Sequence, residues 1–356
     1  MNIIITAPSL NSNFNVSGIS SVASFIIAKN PSKNYIHFEI GKRDNDGRGF
    51  TRVLNILKSY FKWLYVLLST KNKLVHFNLP LDAKSVIRDC PLIIITKFLG
   101  VKMIIHIHGG AYIANHNIPS WAKFLIKICF NGKNPKIVLG QTEKEFIVDT
   151  FKCKNVEVLP NSLNLDDAVD FNRNENVDNE LKFLFLGRIS KEKGIEYIYQ
   201  AFKTLKEQQF PIKFYMAGKG EEEQEYVKKF RDLLNSDFIF EGVIFGEKKT
   251  QLLKDCNIFL LPSFFEGLPI SLLEAMSFGQ VAITTNVGSI KYVVENKING
   301  LFVKTKNSQD IVDAILAVSN NQELKTKIAI QAKQTVFNNF NPINYIKKLN
   351  QIYSYE

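Results

Sequence analysis

The sequence predicts an α/β protein made of two similar halves, each carrying a parallel sheet. Three observations predict it. Short β-branched runs alternate with helix-period stretches along the chain, the signature of βαβ units. The alternation breaks once, at 161–180, an Asn- and Asp-rich stretch without periodicity that reads as loop and linker. A chain of 356 residues also exceeds what one hydrophobic core ordinarily takes.

Taken in order, the first half has strand patterns at 2–6, 35–40, 74–77, 102–106, 136–139 and 156–159. Helical patterns fall between them, near 19–29, 52–69, 83–99, 121–130 and 143–151. The second half repeats the alternation, with strands at 182–186, 212–216, 238–240, 258–261, 281–284 and 301–303. Its helices fall near 195–208, 221–234, 248–254, 269–277, 290–294, 308–319 and 323–337, and a last helix, 342–353, ends the chain. The expected organisation is a domain over 1–160, a linker over 161–180, a second domain over 181–340 and a terminal helix over 341–356. Ligands in such sheets bind at the carboxyl ends of strands, beside helix N-termini, so two facing halves imply a cleft.

Composition narrows the class. Apolar residues make up 46% and charged residues 22%, as in folded globular proteins. No apolar run approaches the roughly 20 residues that span a bilayer. The first residues lack a basic region followed by a long apolar one, so they read as a strand and not a signal peptide. The expected location is the cytoplasm. Cys90, Cys129, Cys153 and Cys256 lie far apart with no CxxC pair, which argues against a zinc or disulfide framework and for reduced, buried thiols. The net charge of +11 is unevenly spread: residues 1–164 carry 21 Lys and Arg against 9 Asp and Glu, the remainder 24 against 25. A basic first half suits an anionic membrane surface or an acidic ligand; a Lys-rich solubilising surface accounts for it equally.

Three segments of the second half carry the chemistry. In the first, strand 258–261 feeds Ser263-Phe-Phe-Glu-Gly-Leu-Pro-Ile-Ser-Leu-Leu-Glu274, which becomes a helix. Pro269 fits a first helical turn, where its missing N–H costs nothing. The free N–H groups of that turn and the helix dipole suit a diphosphate. Glu266 stands just before the helix. Glu274 sits inside it among Leu272, Leu273, Ala275 and Met276, where an idle charge is costly. The second segment, Gly187-Arg188 through Lys193-Gly194, puts two cations at a strand-to-helix turn, as a departing diphosphate requires. A capped helix start, with Ser190 as cap and solvated lysines, is the plainer explanation of this segment alone. The third, Ala217-Gly218-Lys219-Gly220, is a glycine turn that turn chemistry by itself explains.

In this order the three segments closely resemble the retaining glycosyltransferase family 4. The family's G-R-x-x-x-x-K-G, A-G-x-G and E-G-x-P-x-x-x-x-E patterns are matched by Gly187-Arg188…Lys193-Gly194, Ala217–Gly220 and Glu266-Gly267-Leu268-Pro269…Glu274. Smaller matches follow at Glu241-Gly242-Val243, at 285–290 and at Asn299-Gly300. The match is good over about 158–303 and weak over 1–157. The resemblance implies the GT-B fold, two facing Rossmann-like domains with a C-terminal helix crossing back to the first. It implies transfer of a sugar from a nucleotide diphosphate-sugar with retention of configuration. Neither metal nor cofactor is required, and the nucleotide-sugar is a substrate. Arg188 and Lys193 would contact the donor diphosphate, Glu274 the ribose hydroxyls and Glu266 the transferred sugar. Gly267, Leu268 and Pro269 would hold phosphate through the backbone, with Gly218 in the donor turn and Val243 near the base. The acceptor would be a glycan or lipid-linked glycan of surface polysaccharide assembly. No nucleic-acid partner is expected.

The first half adds His108, where strand 102–106 gives way to His-Gly-Gly. In the resembling family a His here lies near the transferred sugar, so His108 is the expected active-site member and His106 a core residue. A metal pair of the two lacks a third ligand. The family's Gly-Gly turn after the first strand reads Ser17-Gly18, so Gly18 keeps a donor-loop role in weakened form. Asp44-Asn-Asp46 is a DxD that binds metal in a different glycosyltransferase fold, but lies in a Gly-rich, basic loop. Tyr60, Phe61, Trp63 and Tyr65 among Lys58, Lys62, Lys71 and Lys73 suit either an interfacial helix, with peripheral docking on an anionic membrane at its inner face, or an ordinary packed one. Residues 121–127 have similar character. Competing readings are a phosphorylase or epimerase on the same fold and a non-catalytic binding subunit. A dinucleotide oxidoreductase is disfavoured because no GxGxxG follows the first strand.

Overall fold

The computed structural model describes residues 1–11, 17–41, 50–173 and 180–355, without the side chains of 50–56. Asp44 and Asp46 lie outside the described residues. The chain divides into two compact units, residues 1–162 with 342–356, and residues 163–341.

The first unit holds six parallel strands: β1 Asn2–Ala7, β2 Asn34–Glu39, β3 Lys73–Leu79, β4 Met103–Ile107, β5 Lys136–Val138 and β6 Val156–Val158. Their order is β2-β1-β3-β4-β5-β6. The helices between them are α1 Gly18–Lys29, α2 Phe50–Ser69, α3 Ala83–Phe98, α4 Ala111–Asn115, α5 Ser120–Phe130 and α6 Gln141–Phe151. Ile3, Ile4 and Ile5 of β1 are fully buried, so both faces of the sheet are covered, as parallel sheets require. The aromatic face of α2 splits. Trp63 is fully buried, packs on Phe38 and Phe77, and donates from Nε1 to Thr96 Oγ1 at 3.0 Å. Phe61 and Tyr65 point to solvent, at 76% and 71% exposure. The short α4 has no sequence signal. It forms because Tyr112 N donates to the Leu81 carbonyl beyond β3, a tertiary contact.

The second unit holds β7 Lys182–Leu186, β8 Lys213–Ala217, β9 Phe238–Gly242, β10 Ile258–Leu261, β11 Val281–Thr285 and β12 Leu301–Val303, in the order β12-β11-β10-β7-β8-β9. Its helices are α7 Ile195–Glu207, α8 Glu223–Leu234, α9 Gly246–Asp255, α10 Ile270–Ser277, α11 Ser308–Ser319 and α12 Gln322–Asn339. The helix expected at 290–294 is only a 3-10 turn, Ile290–Tyr292, since five residues rich in β-branched side chains cannot sustain a helical nucleus. The final helix, α13 Pro342–Tyr353, belongs to the first unit. It buries Tyr345, Leu349, Ile352 and Tyr353, stacks Tyr345 edge-on against Phe25, and shares hydrogen bonds between Asn350 and Asn30.

Candidate active site

In the second unit the strand order reverses between β7 and β10, and ligands of open parallel sheets bind outside the carboxyl ends at such a point. The turns after β7 and β10 therefore adjoin, although about 75 residues separate them in sequence. Backbone contacts lock them. Gly187 N donates to the Ala217 carbonyl at 3.0 Å, Ile189 N to Lys219 at 3.1 Å and Gly218 N to Gly242 at 2.7 Å. Phe264 N donates to the Glu192 carbonyl at 2.8 Å, tying the β10 turn to the β7 turn. Gly218 has φ +140, and a Cβ there would fall on the Gly187 carbonyl. Gly194, at φ +74, meets the Pro262 carbonyl in the same way. The 217–220 turn, read from sequence as turn chemistry alone, is thus a packing requirement of its neighbour.

The charged side chains gather on this scaffold. Glu266 is nearly buried, its side chain 8% exposed. Its Oε1 accepts from Lys193 Nζ at 2.5 Å and from Ser263 Oγ at 2.7 Å. Glu274, on α10, accepts from Lys249 Nζ of α9 at 2.6 Å. Its neighbours Leu272, Leu273, Ala275 and Met276 are all fully buried, so the carboxylate in this apolar setting is paired, as burial demands. Arg188 is exposed on the β7 turn with no partner among the described residues. Leu268 is buried; Gly267 accepts from Ser289 N at 3.1 Å through its carbonyl. Pro269 sits one position before the first turn of α10, in extended conformation, and no side chain caps that helix start. Its N–H groups remain open to an anion. Val243, half-buried, follows β9. Two members escaped sequence reasoning. Lys249 lies in an ordinary charged helix with no motif around it, and Ser263 stood in the quoted segment without a role.

The first unit places different chemistry at the carboxyl ends of β3 and β4. His108 Nε2 lies 2.7 Å from Asn78 Oδ1, while Asn78 Nδ2 donates to the Thr6 carbonyl at 2.8 Å. The carbonyl can only accept, so the Asn78 oxygen faces His108 and His108 carries its proton on Nε2. Nδ1 is left as an acceptor. Burial pushes the His108 pKa down to about 3. Behind it, His106 and His76 are fully buried, and the His106 and His108 rings lie 4.1 Å apart. Burial, then the neighbouring imidazoles, hold His106 well below its ordinary value and His76 at about 3. The three rings are therefore neutral near pH 7. Tyr353 of α13 bonds His76 Nδ1 at 2.7 Å, and His76 Nε2 faces His106 Nδ1 at 3.3 Å. Among the described residues no group of three His, Cys, Asp or Glu side chains could hold a metal ion. Gly18 is the first residue of α1, capped by Ser17 Oγ, which accepts from Ser20 N at 3.1 Å; the space where its Cβ would sit is empty.

Residues 166–335, a little under half of the chain, match the sequence model of the family Glycosyl transferases group 1. The protein is a glycosyltransferase enzyme. The chain is 23% identical over 282 residues to an Escherichia coli UDP-Gal:α-D-GlcNAc-diphosphoundecaprenol α-1,3-galactosyltransferase, covering 73% of this chain and 71% of that one. It is 28% identical over 168 residues to the Campylobacter jejuni N,N'-diacetylbacillosaminyl-diphospho-undecaprenol α-1,3-N-acetylgalactosaminyltransferase, covering 46% of this chain but only 42% of that one. Among solved structures, Anabaena Alr3699/HepE in complex with UDP-glucose superposes with a TM-score of 0.76 at 15% identity, covering 99% of both chains. The fold of this glycosyltransferase is GT-B, two units each built on a parallel six-stranded sheet. No helix among the described residues is long and apolar enough to cross a membrane.

Proposed function

We propose that the protein is a family 4, retaining glycosyltransferase that moves a sugar from a nucleoside diphosphate-sugar to a hydroxyl of a lipid-linked glycan, in surface polysaccharide assembly, without an obligatory metal. The observation that carries this reading is the cluster at the β7–β10 reversal: Arg188, Lys193, Glu266 and Glu274 around an uncapped helix start. In the reaction the bond from the anomeric carbon to the diphosphate oxygen breaks and a bond to the acceptor oxygen forms. The acceptor's proton leaves with the diphosphate. Charge grows on the departing diphosphate, where Arg188, Lys193 and the α10 N-terminus supply fixed compensation. The backbone at Gly267 and Leu268 holds phosphate, and Pro269, which has no N–H to donate, sets the start of α10. The Gly218 turn keeps the β7 turn in place, and Val243 flanks the base. Glu274, steadied by Lys249, accepts hydrogen bonds from the ribose hydroxyls. Glu266, held by Lys193 and Ser263, addresses the transferred sugar. His108 is the first unit's candidate, a neutral imidazole with an acceptor Nδ1 for a sugar hydroxyl, and Gly18 opens the helix after β1.

The E. coli and Campylobacter relatives are named for diphosphoundecaprenol-linked acceptors, which supports a lipid-linked acceptor and work at the cytoplasmic membrane face. The exposed Phe61 and Tyr65 on a basic half of the chain fit peripheral docking there. Thermal denaturation with UDP, GDP, ADP, CMP and their sugar conjugates tests the donor site. One nucleoside diphosphate should raise the melting temperature with or without EDTA, and Glu274→Ala should abolish the shift. No shift from any of them would move the non-catalytic binding-subunit reading ahead.

A further inference from the structure

At the other end of the second sheet, where β7, β10 and β11 begin, the unit holds a cavity of about 790 Å3. Its walls are the segment 169–173, the C-terminal ends of α9 and α10, and α12. The volume falls within the roughly 300–1,000 Å3 of small-molecule sites. Five cations line it, Arg173, Lys182, Lys254, Lys325 and Lys333, against a single acid, Asp255, which already bonds Gln251. Residues 165–356 as a whole are close to neutral, so this concentration is local.

Structural duties explain three of the five, Lys182 being paired with Glu180 at 3.7 Å. Arg173 donates from both terminal nitrogens to the carbonyls of Leu253, Lys254 and Phe278, where α9 and α10 end, offsetting the negative ends of two helices. Lys333 donates to the carbonyls of Val169 and Phe171. Lys254 and Lys325 have no ion-pair partner among the described residues, and Arg173 Nε is buried without an acceptor. Burial, and then repulsion from Arg173, lower the Lys325 pKa. Two cations lining one partly buried wall repel each other, and an anion bound beside them would relieve that repulsion. Beside them the wall is apolar and aromatic. Phe171 and Phe278 pack at 5.5 Å, with Phe337 and the half-exposed Ile330 alongside.

We propose that this cavity is a second ligand site, separate from the donor turns, for a small phosphate monoester carried on an apolar or aromatic body. Arg173 Nε, Lys325 and Lys254 would hold the oxyanion, and Phe171, Phe278 and Phe337 the body.

The test uses the full-length chain, with 1-naphthyl phosphate as probe and 1-naphthol and inorganic phosphate as controls, read by calorimetric titration and by melting temperature. The phosphate ester should bind wild type and Glu274→Ala alike, and more tightly than either control. Lys325→Gln should weaken it about tenfold, the worth of one charge-assisted hydrogen bond, and Lys254→Gln should weaken it in the same direction. Without ligand, Lys325→Gln should melt higher than wild type, because it removes one of two repelling charges. The proposal falls if the ester binds no better than naphthol. It falls equally if binding disappears in Glu274→Ala while surviving in Lys325→Gln, which places the probe at the donor turns. A Lys325→Gln variant that melts lower and binds unchanged would make Lys325 a structural cation and overturn the site.

Discussion

The two sheets differ in strand order, and their reversal points carry opposite electrostatics. In the first unit the order turns back between β1 and β3, and the side chains gathered at and beside that point, Thr6, Asn78, His106 and His108, are buried or half-buried and neutral. In the second it turns back between β7 and β10, and what gathers there is ionic: Lys193 on Glu266, with Arg188 exposed beside them. The difference lies in what each neighbourhood does with water. Imidazoles packed against one another in the sheet lose solvation and stay uncharged. Lysines and glutamates at a turn keep part of theirs and hold charge through pairing. Among the described residues the cations gathered at a strand reversal belong to the second unit, while the first unit's reversal offers neutral hydrogen-bonding groups suited to hydroxyls.

This contrast can be broken where it matters most. Lys193→Ala removes a charge from the ionic site and leaves Glu266 with only Ser263. Under the proposed reaction kcat for sugar transfer should fall by roughly 10²–10³, the usual loss for one stabilising group at a developing anion. Steady-state assay of nucleoside diphosphate release measures it, and a loss below about threefold would remove Lys193 from the diphosphate. Next in size is Gly218→Ala. A Cβ there meets the Gly187 carbonyl at a φ only glycine adopts easily, so the variant should lose about 3 kcal/mol or more of stability by urea denaturation. An unaltered midpoint would mean the two turns do not depend on each other.

The smallest effect sharpens the neutral side. His76 and His108 have folded-state pKa values of about 3, against an ordinary value near 6.5 in the unfolded chain. Between those values the unfolded chain binds protons that the folded chain refuses. Stability is therefore complete above about pH 6.5 and is lost as pH falls toward 3, by about 1.4 kcal/mol per pH unit for each histidine. Urea midpoints between pH 7.5 and 4.5 should show this slope, and His76→Phe should reduce it by one proton. A flat profile would mean that the folded and unfolded chains take up protons alike, with no lowering of the imidazole pKa values by burial.

Much of this was legible in the sequence because it is local. Strands 182–186, 258–261 and 301–303 appear with the bounds read from their apolar runs, and others shift by one or two residues at the ends. The Glu266–Glu274 and Gly187–Gly194 segments stand out because a strand-to-helix turn has few chemically workable sequences. Less was legible where long-range contacts decide. Lys249 carries no motif, yet it is the partner of Glu274. Trp63 reads like its neighbours Phe61 and Tyr65 until the helix face that meets Phe38 and Phe77 is known. The short helix α4 exists through a hydrogen bond to Leu81 across β3 and β4.

By itself the sequence determined the alternation of strands and helices, the division into two α/β halves and the residue types at each turn. Periodicity, glycine and charge are properties of neighbouring residues, and so they survive in one dimension. Only the tertiary structure decided that β10 lies beside β7, bringing Glu266 to Lys193, that β3 lies beside β4, bringing Asn78 to His108, and that α13 sends Tyr353 back to His76. Strand order depends on which apolar faces bury one another and on the handedness of crossovers, and each of those is a contact between residues distant in the chain.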